Sequence, residues 1–198
     1  MRRFAWVGFG MLALLPLGGA ADAAERAWLA MVGGGTAIPS DGAGLESGAS
    51  MFVGVATPVL PWFLIGVEAG GRQFASAGGV SIPEVHVSQD RTRDVSLVAT
   101  LRLQVPVSRG PAPFAVGEAG VGCTRWGDVH VYDLGFGFGQ GNPVMPGRVE
   151  WGVRSAVGVG IRCVLSRPWP DFEVSAREAL LSGDHSVKVF EPSFSLAW

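Results

Sequence analysis

The segment 149–165 reads VEWGVRSAVGVGIRCVL and alternates between two kinds of side chain. One set is almost entirely apolar: Trp151, Val153, Ser155, Val157, Val159, Ile161, Cys163 and Leu165. The other combines charged and very small residues: Glu150, Gly152, Arg154, Ala156, Gly158, Gly160 and Arg162. A period of two residues is the pattern of a β-strand with one apolar face. The segment therefore predicts a strand whose apolar face meets either lipid or a soluble core.

Turn-forming residues divide the chain into eight segments of this kind. Two or three prolines mark each short break, and stretches rich in Gly, Ser and Asp mark the long ones. The segments are 26–35, 48–57, 62–73, 94–105, 113–125, 149–165, 171–179 and 187–198. Most are close to the ~9–11 residues that a tilted strand needs to cross a bilayer. The breaks alternate between long and short, as in transmembrane barrels. We therefore predict an all-β fold, an eight-stranded antiparallel up-and-down transmembrane β-barrel, with a secreted soluble calyx or sandwich as the alternative.

The composition excludes two other classes of protein. Only 16% of the 198 residues are charged, against about 25% in ordinary soluble domains. The 15 basic residues are balanced by 17 acidic ones, so the chain has no basic field for a nucleic acid. After residue 20 no apolar run reaches the ~18 residues of a transmembrane helix. The chain is apolar on average but too interrupted for membrane helices.

The first residues have the pattern of an export signal. Met1-Arg2-Arg3 is positively charged, Phe4 to Leu17 is apolar, and Ala21-Asp22-Ala23 offers small residues for cleavage. The alternative is a buried N-terminal helix. We predict a signal peptide over residues 1–23 and one barrel domain over residues 24–198.

Aromatic residues collect where the predicted strands meet the short turns and the chain ends. If these positions share one membrane level, they form an interfacial aromatic girdle. The predicted members are Trp28, Trp62, Phe114, Trp169 and Trp198.

Two short segments resemble a known family. Pro113-Phe114-Ala115-Val116-Gly117-Glu118-Ala119-Gly120-Val121-Gly122 is similar to the glycine-rich strand of small outer-membrane barrels of the OmpA/OmpX-like superfamily. The ending Phe194-Ser195-Leu196-Ala197-Trp198 resembles their C-terminal assembly signal, in which Phe194, Leu196 and Trp198 would be recognised. The resemblance implies an outer-membrane location. It also implies outer-membrane lipid, lipopolysaccharide and the outer-membrane assembly machinery as partners, but no single activity.

The polar strand faces carry charges that would point into the lumen: Glu68, Arg102, Glu118, Arg154, Arg162, Glu173, Arg177 and Glu191. Acids and bases in a narrow cavity should pair, because an unpartnered buried charge costs several kcal/mol. The interior of an eight-stranded barrel is just filled by side chains. We predict a lumen plugged by Arg–Glu pairs and a structural or surface-interaction role. The alternative is a narrow channel for ions or small apolar solutes.

An outer-membrane lipid-modifying enzyme is a third possibility. His185 and Ser186 could supply a catalytic pair, but adjacent residues of a strand point to opposite faces. Nothing places a nucleophile beside the lumen carboxylates. We therefore predict no enzymatic activity, no catalytic residue and no cofactor.

The second, third and fourth long loops carry one histidine each, His86, His130 and His185. None has a partner at ligand spacing, so we predict no metal site. The Gly135–Gly141 run predicts a mobile loop or a hairpin extension rather than a phosphate-binding loop. We expect the outer loops to be the surface that contacts an extracellular ligand, whose identity the sequence leaves unknown.

Cys123 and Cys163 fall far apart in the predicted register, by roughly 20 Å or more, so we expect two free thiols rather than a disulfide. Pro192 is a misfit in a closed barrel, which has no edge strand to host it. A bulge and a locally broken hydrogen bond are both compatible with the sequence.

Overall fold

A computed structural model describes residues 28–40, 45–76, 81–82, 85–133, 145–166, 168–184 and 186–198. The predicted signal peptide, residues 1–23, lies outside these ranges. The described residues form eleven strands: β1 (Leu29–Pro39), β2 (Leu45–Leu60), β3 (Phe63–Ser76), β4 (Ser81–Ile82), β5 (Val85–Gln89), β6 (Thr92–Gln104), β7 (Gly110–Arg125), β8 (Val129–Asp133), β9 (Val149–Val164), β10 (Asp171–Ser182) and β11 (Val187–Ala197). Within the described ranges, no helix has the length and hydropathy to cross a bilayer.

Eight of these strands close into an antiparallel barrel in the order β1-β11-β10-β9-β7-β6-β3-β2. The predicted fold class and strand count are confirmed. The short connections β2–β3, β6–β7 and β9–β10 lie at the same end as the start of β1 and the end of β11. We call this the lower end, and the opposite end, with the long connections, the upper end. Gly110 has a φ of 92°, a backbone conformation that favours glycine at the close of the β6–β7 turn.

Side chains alternate between the lumen and the outer surface, as the sequence predicted. In β6 buried and exposed residues alternate from Thr92 to Leu103. The outward residues are large and apolar: Val95 is 63% exposed, Val157 68% and Trp151 73%. A continuous exposed apolar surface of this kind marks contact with a membrane or a partner rather than with water.

Two apolar layers lie inside the barrel, one towards each end. The lower apolar layer consists of Leu29, Met31, Ala56, Leu64 and Ala197. The upper apolar layer consists of Ala37, Phe74, Leu181, Val187 and Val189, with Leu45 and Trp126 packed against it. Charged side chains fill much of the space between them.

A small second sheet of order β4-β5-β8 lies at the upper end. Arg93 pairs with Arg125 at the top of the β6–β7 hairpin, and Gln89 pairs with Val129 four residues further along each strand. The pair β5–β8, called the ribbon below, therefore continues this hairpin without a slip in register. The long breaks that follow the predicted segments 62–73 and 113–125 thus contain the short strands β4, β5 and β8. The Gly135–Gly141 run lies outside the described residues.

Pro192 interrupts the ladder between β1 and β11 without a bulge. Gly35 pairs with Ser193 and Ile38 with Phe190, in one unbroken register, but the two intervening pairs are missing. Proline has no N–H to donate, so a local break is the expected result. A Cβ atom on Gly35 would clash with the Pro192 carbonyl oxygen, so glycine allows the two backbones to approach.

The two cysteines are widely separated. Cys123 pairs with Trp151 and Cys163 with Pro111, so they lie twelve residues apart along β9. At about 3.3 Å per residue this is roughly 40 Å, far beyond the Cα separation that a disulfide allows. Both thiols are free and half-buried.

Candidate functional site

The lumen contains a continuous set of buried charges. All eight residues predicted for it are buried: Glu68, Arg102, Glu118, Arg154, Arg162, Glu173, Arg177 and Glu191. The structure adds Arg72, Asp94, Glu150 and Asp171 to this set. Glu150 pairs with the half-exposed Arg148, and the other charges form a larger central network and two lower pairs.

Arg154 is the centre of the central network. Only 1% of this residue is exposed. Its Nη2 atom contacts Glu118 Oε2 at 3.0 Å and Glu191 Oε2 at 3.1 Å, and its Nη1 donates to Ser96 Oγ at 3.2 Å. One guanidinium thus joins carboxylates from β7 and β11, two strands that are not neighbours in the barrel.

Arg177 and Arg72 extend the central network across the lumen. Arg177 Nη1 contacts Glu68 Oε1 at 2.7 Å and Glu118 Oε1 at 2.5 Å. Arg72 Nη1 contacts Asp94 Oδ2 at 2.5 Å, and Arg72 Nε pairs with Glu191. Ion pairs therefore connect Glu68, Arg177, Glu118, Arg154, Glu191, Arg72 and Asp94 without interruption. Four carboxylates share three guanidinium groups.

The two lower pairs lie beside the lower apolar layer. Arg102 donates from Nη2 to Glu173 Oε1 at 2.8 Å and from Nη1 to Oε2 at 3.1 Å, a bidentate arrangement. Arg162 Nη2 contacts Asp171 Oδ2 at 2.5 Å. The Asp171 Oδ1 atom accepts the backbone N–H of Leu165 at 2.8 Å, which ties the β9–β10 turn to this pair.

Aromatic rings support two of these arginines from inside the barrel. The Arg102 guanidinium lies 3.7 Å from the Phe114 ring centroid, and that of Arg177 lies 4.7 Å from the Phe52 centroid. Placing Phe114 in the outer aromatic girdle is therefore wrong. The residue is 7% exposed and points into the lumen, because it shares the parity of Glu118.

The other predicted girdle residues lie at the lower end and are exposed: Trp28, Trp62, Trp169 and Trp198. The predicted assembly-signal residues Phe194, Leu196 and Trp198 are at the end of the chain, and Phe194 and Trp198 are exposed.

Arg72, Asp94 and Asp171 could have been found by extending the alternation. Arg72 shares parity with Glu68 in β3, Asp94 with Ser96 and Arg102 in β6, and Asp171 with Glu173 in β10. Asp94 and Asp171 stand at the edges of their predicted segments, where the alternation has fewer neighbours to define it. The eight predicted residues are thus buried in the lumen together with charges that the prediction did not include.

Space inside the upper lumen is small. A cavity of about 20 Å³ lies between the upper apolar layer and the central network, with Phe74, Asp94 and Arg154 among its lining residues. This is room for about one water molecule. The charges of the central network and of the two lower pairs contact one another, and Glu150, which also lines the cavity, pairs with Arg148.

Two buried serines of the lumen are hydrogen-bond partners of the charges. Ser96 accepts from Arg72 and Arg154, and Ser195 donates to Glu173. Of the three histidines, His86 and His130 lie in the ribbon, and His185 lies outside the described residues. The possible catalytic pair His185–Ser186 therefore lies partly outside the described residues.

The expectation that no histidine has a partner at ligand spacing is wrong for His130. Its Nε2 atom lies 3.6 Å from Asp90 Oδ2, and Asp128 joins the same cluster. The ribbon is responsible, since it continues the β6–β7 hairpin and brings these positions together.

The architecture and the charged lumen define a small eight-stranded barrel of the outer-membrane type. Searched by sequence, the chain matches no family model and no curated protein. By structure it is similar to the Neisserial surface protein NspA, with a TM-score of 0.62 and 11% identity over 86% of this chain and 96% of that one.

Two other solved structures are also similar. The outer membrane protein OprG from Pseudomonas aeruginosa has a TM-score of 0.47 and 16% identity over 89% of this chain and 98% of OprG. Ail, the attachment invasion locus protein of Yersinia pestis, has a TM-score of 0.42 and 13% identity over 86% of this chain and 97% of Ail. The predicted resemblance to small outer-membrane barrels is confirmed at the level of the fold.

Proposed function

We propose that this protein is an integral outer-membrane barrel that does not conduct solutes and that acts through the surface it presents at its upper end. The observation that carries the proposal is the composition of the lumen. Two apolar layers enclose a paired charge network, and this arrangement resembles a protein core more than a pore.

The energetics of buried charges support a permanent plug. Breaking one buried ion pair by removing a partner costs about 3–5 kcal/mol. Opening a path through the central network would require several of its contacts to separate together, including those of Arg154 with Glu118 and Glu191. Such an opening is therefore costly unless water or a solute replaces each lost contact.

The outer surface supports a membrane location. The exposed apolar side chains of β6 and β9 would be unfavourable in water and favourable against acyl chains. The exposed tryptophans at the lower end suit a membrane interface. In transmembrane barrels the short turns face the periplasm and the long loops face outwards. The lower end of this barrel would therefore face the periplasm and the upper loops the outside, with lipid and lipopolysaccharide around the barrel.

The ribbon supports a role in surface contact. It extends the β6–β7 hairpin beyond the barrel. Loops on a rigid scaffold commonly carry binding functions. The names of NspA and Ail describe a surface protein and an attachment protein, in keeping with this role.

Solute entry into liposomes tests the transport half of the proposal. Liposomes that contain the refolded protein should swell in isotonic sugar no faster than protein-free liposomes, while a known porin serves as the positive control. Swelling that depends on the amount of folded protein would favour the channel alternative. A mass change in lipid A upon expression of the protein would instead support the lipid-modifying enzyme.

A further inference from the structure

We propose that Asp90, Asp128 and His130 form a binding site for a divalent transition-metal ion, with zinc as its representative, at the junction between the barrel and the ribbon. The candidate ligand atoms of the three side chains all lie within 4.8 Å of one another. This proposal goes beyond the proposed function and does not depend on whether the lumen conducts.

The register explains why the three side chains meet. Continuation of the β6–β7 register into the ribbon places Asp90 opposite Asp128, and the backbone N–H of Asp90 donates to the Asp128 carbonyl at 2.8 Å. His130 follows Asp128 by two residues, so both side chains leave the strand on the same face. The ligand set thus comes from two chain segments with a fixed alignment.

The distances suit a small cation. Zinc binds carboxylate oxygen and imidazole nitrogen at about 2.0–2.2 Å, so two ligands at a tetrahedral angle stand about 3.4 Å apart. His130 Nε2 and Asp90 Oδ2 are 3.6 Å apart. Small adjustments of the side chains would therefore complete the coordination, with water in the remaining position.

The backbone around the cluster restrains it. The N–H of Gly147 donates to Asp128 Oδ1 at 2.5 Å, which orients that carboxylate from the side opposite Asp90. A Cβ atom on Gly127 would clash with the Asp90 carbonyl, so glycine lets the two segments pack closely. The His130 side chain is 23% exposed and that of Asp90 64% exposed, so an ion can enter from solvent.

Electrostatics favours an ion of this charge. Like charges directly opposite each other on antiparallel strands are destabilising, and Asp90 and Asp128 are such a pair. A divalent cation would neutralise both carboxylates. The imidazole selects among cations, because nitrogen ligands suit zinc and other transition metals, whereas magnesium and calcium prefer oxygen alone.

Calorimetric titration of the full refolded chain with zinc tests the site. The wild type should bind one zinc ion per chain, and Asp128→Asn and His130→Gln should each weaken binding at least tenfold. Asn retains an oxygen that can accept the Gly147 N–H, so Asp128→Asn removes charge with little change of shape. Asp184→Asn is the matched control, since it removes an exposed carboxylate from the β10–β11 connection at the same end.

Hydrogen exchange supplies a second readout. Zinc should slow exchange of the amides from Val129 to Val131 in the wild type and in Asp184→Asn, but not in Asp128→Asn. Gel mobility before and after boiling shows that each variant has folded. Three results would refute the site. The first is a wild-type protein that binds less than one zinc ion per chain, and the second is zinc that binds to Asp128→Asn and His130→Gln as well as to the wild type. The third is calcium that binds as tightly as zinc.

Discussion

At the residue scale, Arg154 shows how a buried charge in the lumen is stabilised by its contacts. The other charged residues of its own strand, Glu150 and Arg162, are four and eight residues away. Its partners come from β6, β7 and β11. Because almost none of it is exposed to solvent, its contacts have to replace its hydration.

Replacing Arg154 with Met should lower the free energy of unfolding by about 3–5 kcal/mol, because Glu118 and Glu191 would lose a shared partner inside the lumen. Urea unfolding in lipid vesicles, followed by tryptophan fluorescence, measures the change. Arg93→Met is the control, since Arg93 is on the exposed face of β6. Equal effects of the two substitutions would mean that the central network contributes no special stability.

Gly35 and Gly117 offer a matched test of backbone approach. A methyl group on Gly35 would clash with the Pro192 carbonyl, whereas the same group on Gly117 has no neighbouring atom within 4 Å. Gly35→Ala should therefore destabilise the barrel by at least 1 kcal/mol, a typical cost of overpacking. Gly117→Ala should be neutral or slightly stabilising. The same unfolding assay separates them, and a neutral Gly35→Ala would contradict the described packing of β1 against β11.

At the scale of the element, the alternation in β9 was sufficient to predict a strand with the correct inward face. The same rule places Phe114 inside, since it has the parity of Glu118. The girdle prediction was wrong for Phe114 because it gave more weight to the position of this residue near a turn than to its parity in the strand. Asp94 and Asp171 were missed because each stands at the edge of a predicted segment.

The ribbon could not be predicted in the same way. Its strands are short, and β5 and β8 lie among Gly, Ser and Asp residues that also form irregular loops. A five-residue strand forms largely because it pairs with a partner strand. In the ribbon this pairing depends on the register of the β6–β7 hairpin below it. The cluster of Asp90, Asp128 and His130 was therefore also inaccessible to reasoning from local spacing.

The missing pairs beside Pro192 predict a local weak point in β1. The even-numbered residues of β1 bond to β11, and of these Thr36 lacks its partner whereas Val32 and Gly34 keep theirs. The backbone amide of Thr36 should therefore exchange with deuterium faster than those of Val32 and Gly34. Hydrogen exchange of the folded protein in detergent checks this. Uniform protection along β1 would indicate that the ladder is closed in solution.

At the scale of the whole molecule, the two faces of the barrel account for the composition of the chain. The outward half of each strand is apolar, and the inward half is small or charged, so neither long apolar runs nor many surface charges are needed. Length, alternation and turn spacing were sufficient for the architecture. They were not sufficient for the complete set of lumen contacts, which depends on how eight strands meet across the barrel.

A closed barrel should resist sodium dodecyl sulphate until it is heated. Without boiling, the folded protein should therefore migrate differently on a gel than after boiling, because every barrel strand is paired on both sides and the sheet has no open edge. The measurement compares heated and unheated samples of the membrane fraction. Identical mobility under both conditions would contradict a closed barrel.

The central claim is that the lumen is sealed, and electrical recording across a planar bilayer tests it most directly. Folded wild-type protein, inserted to a level verified by its heat-dependent mobility, should leave the current at the baseline of the protein-free bilayer. Arg154→Met provides the comparison, because loss of a central ion pair should allow transient openings if the network is the seal. Stable, stepwise conductance from the wild-type protein would contradict the account.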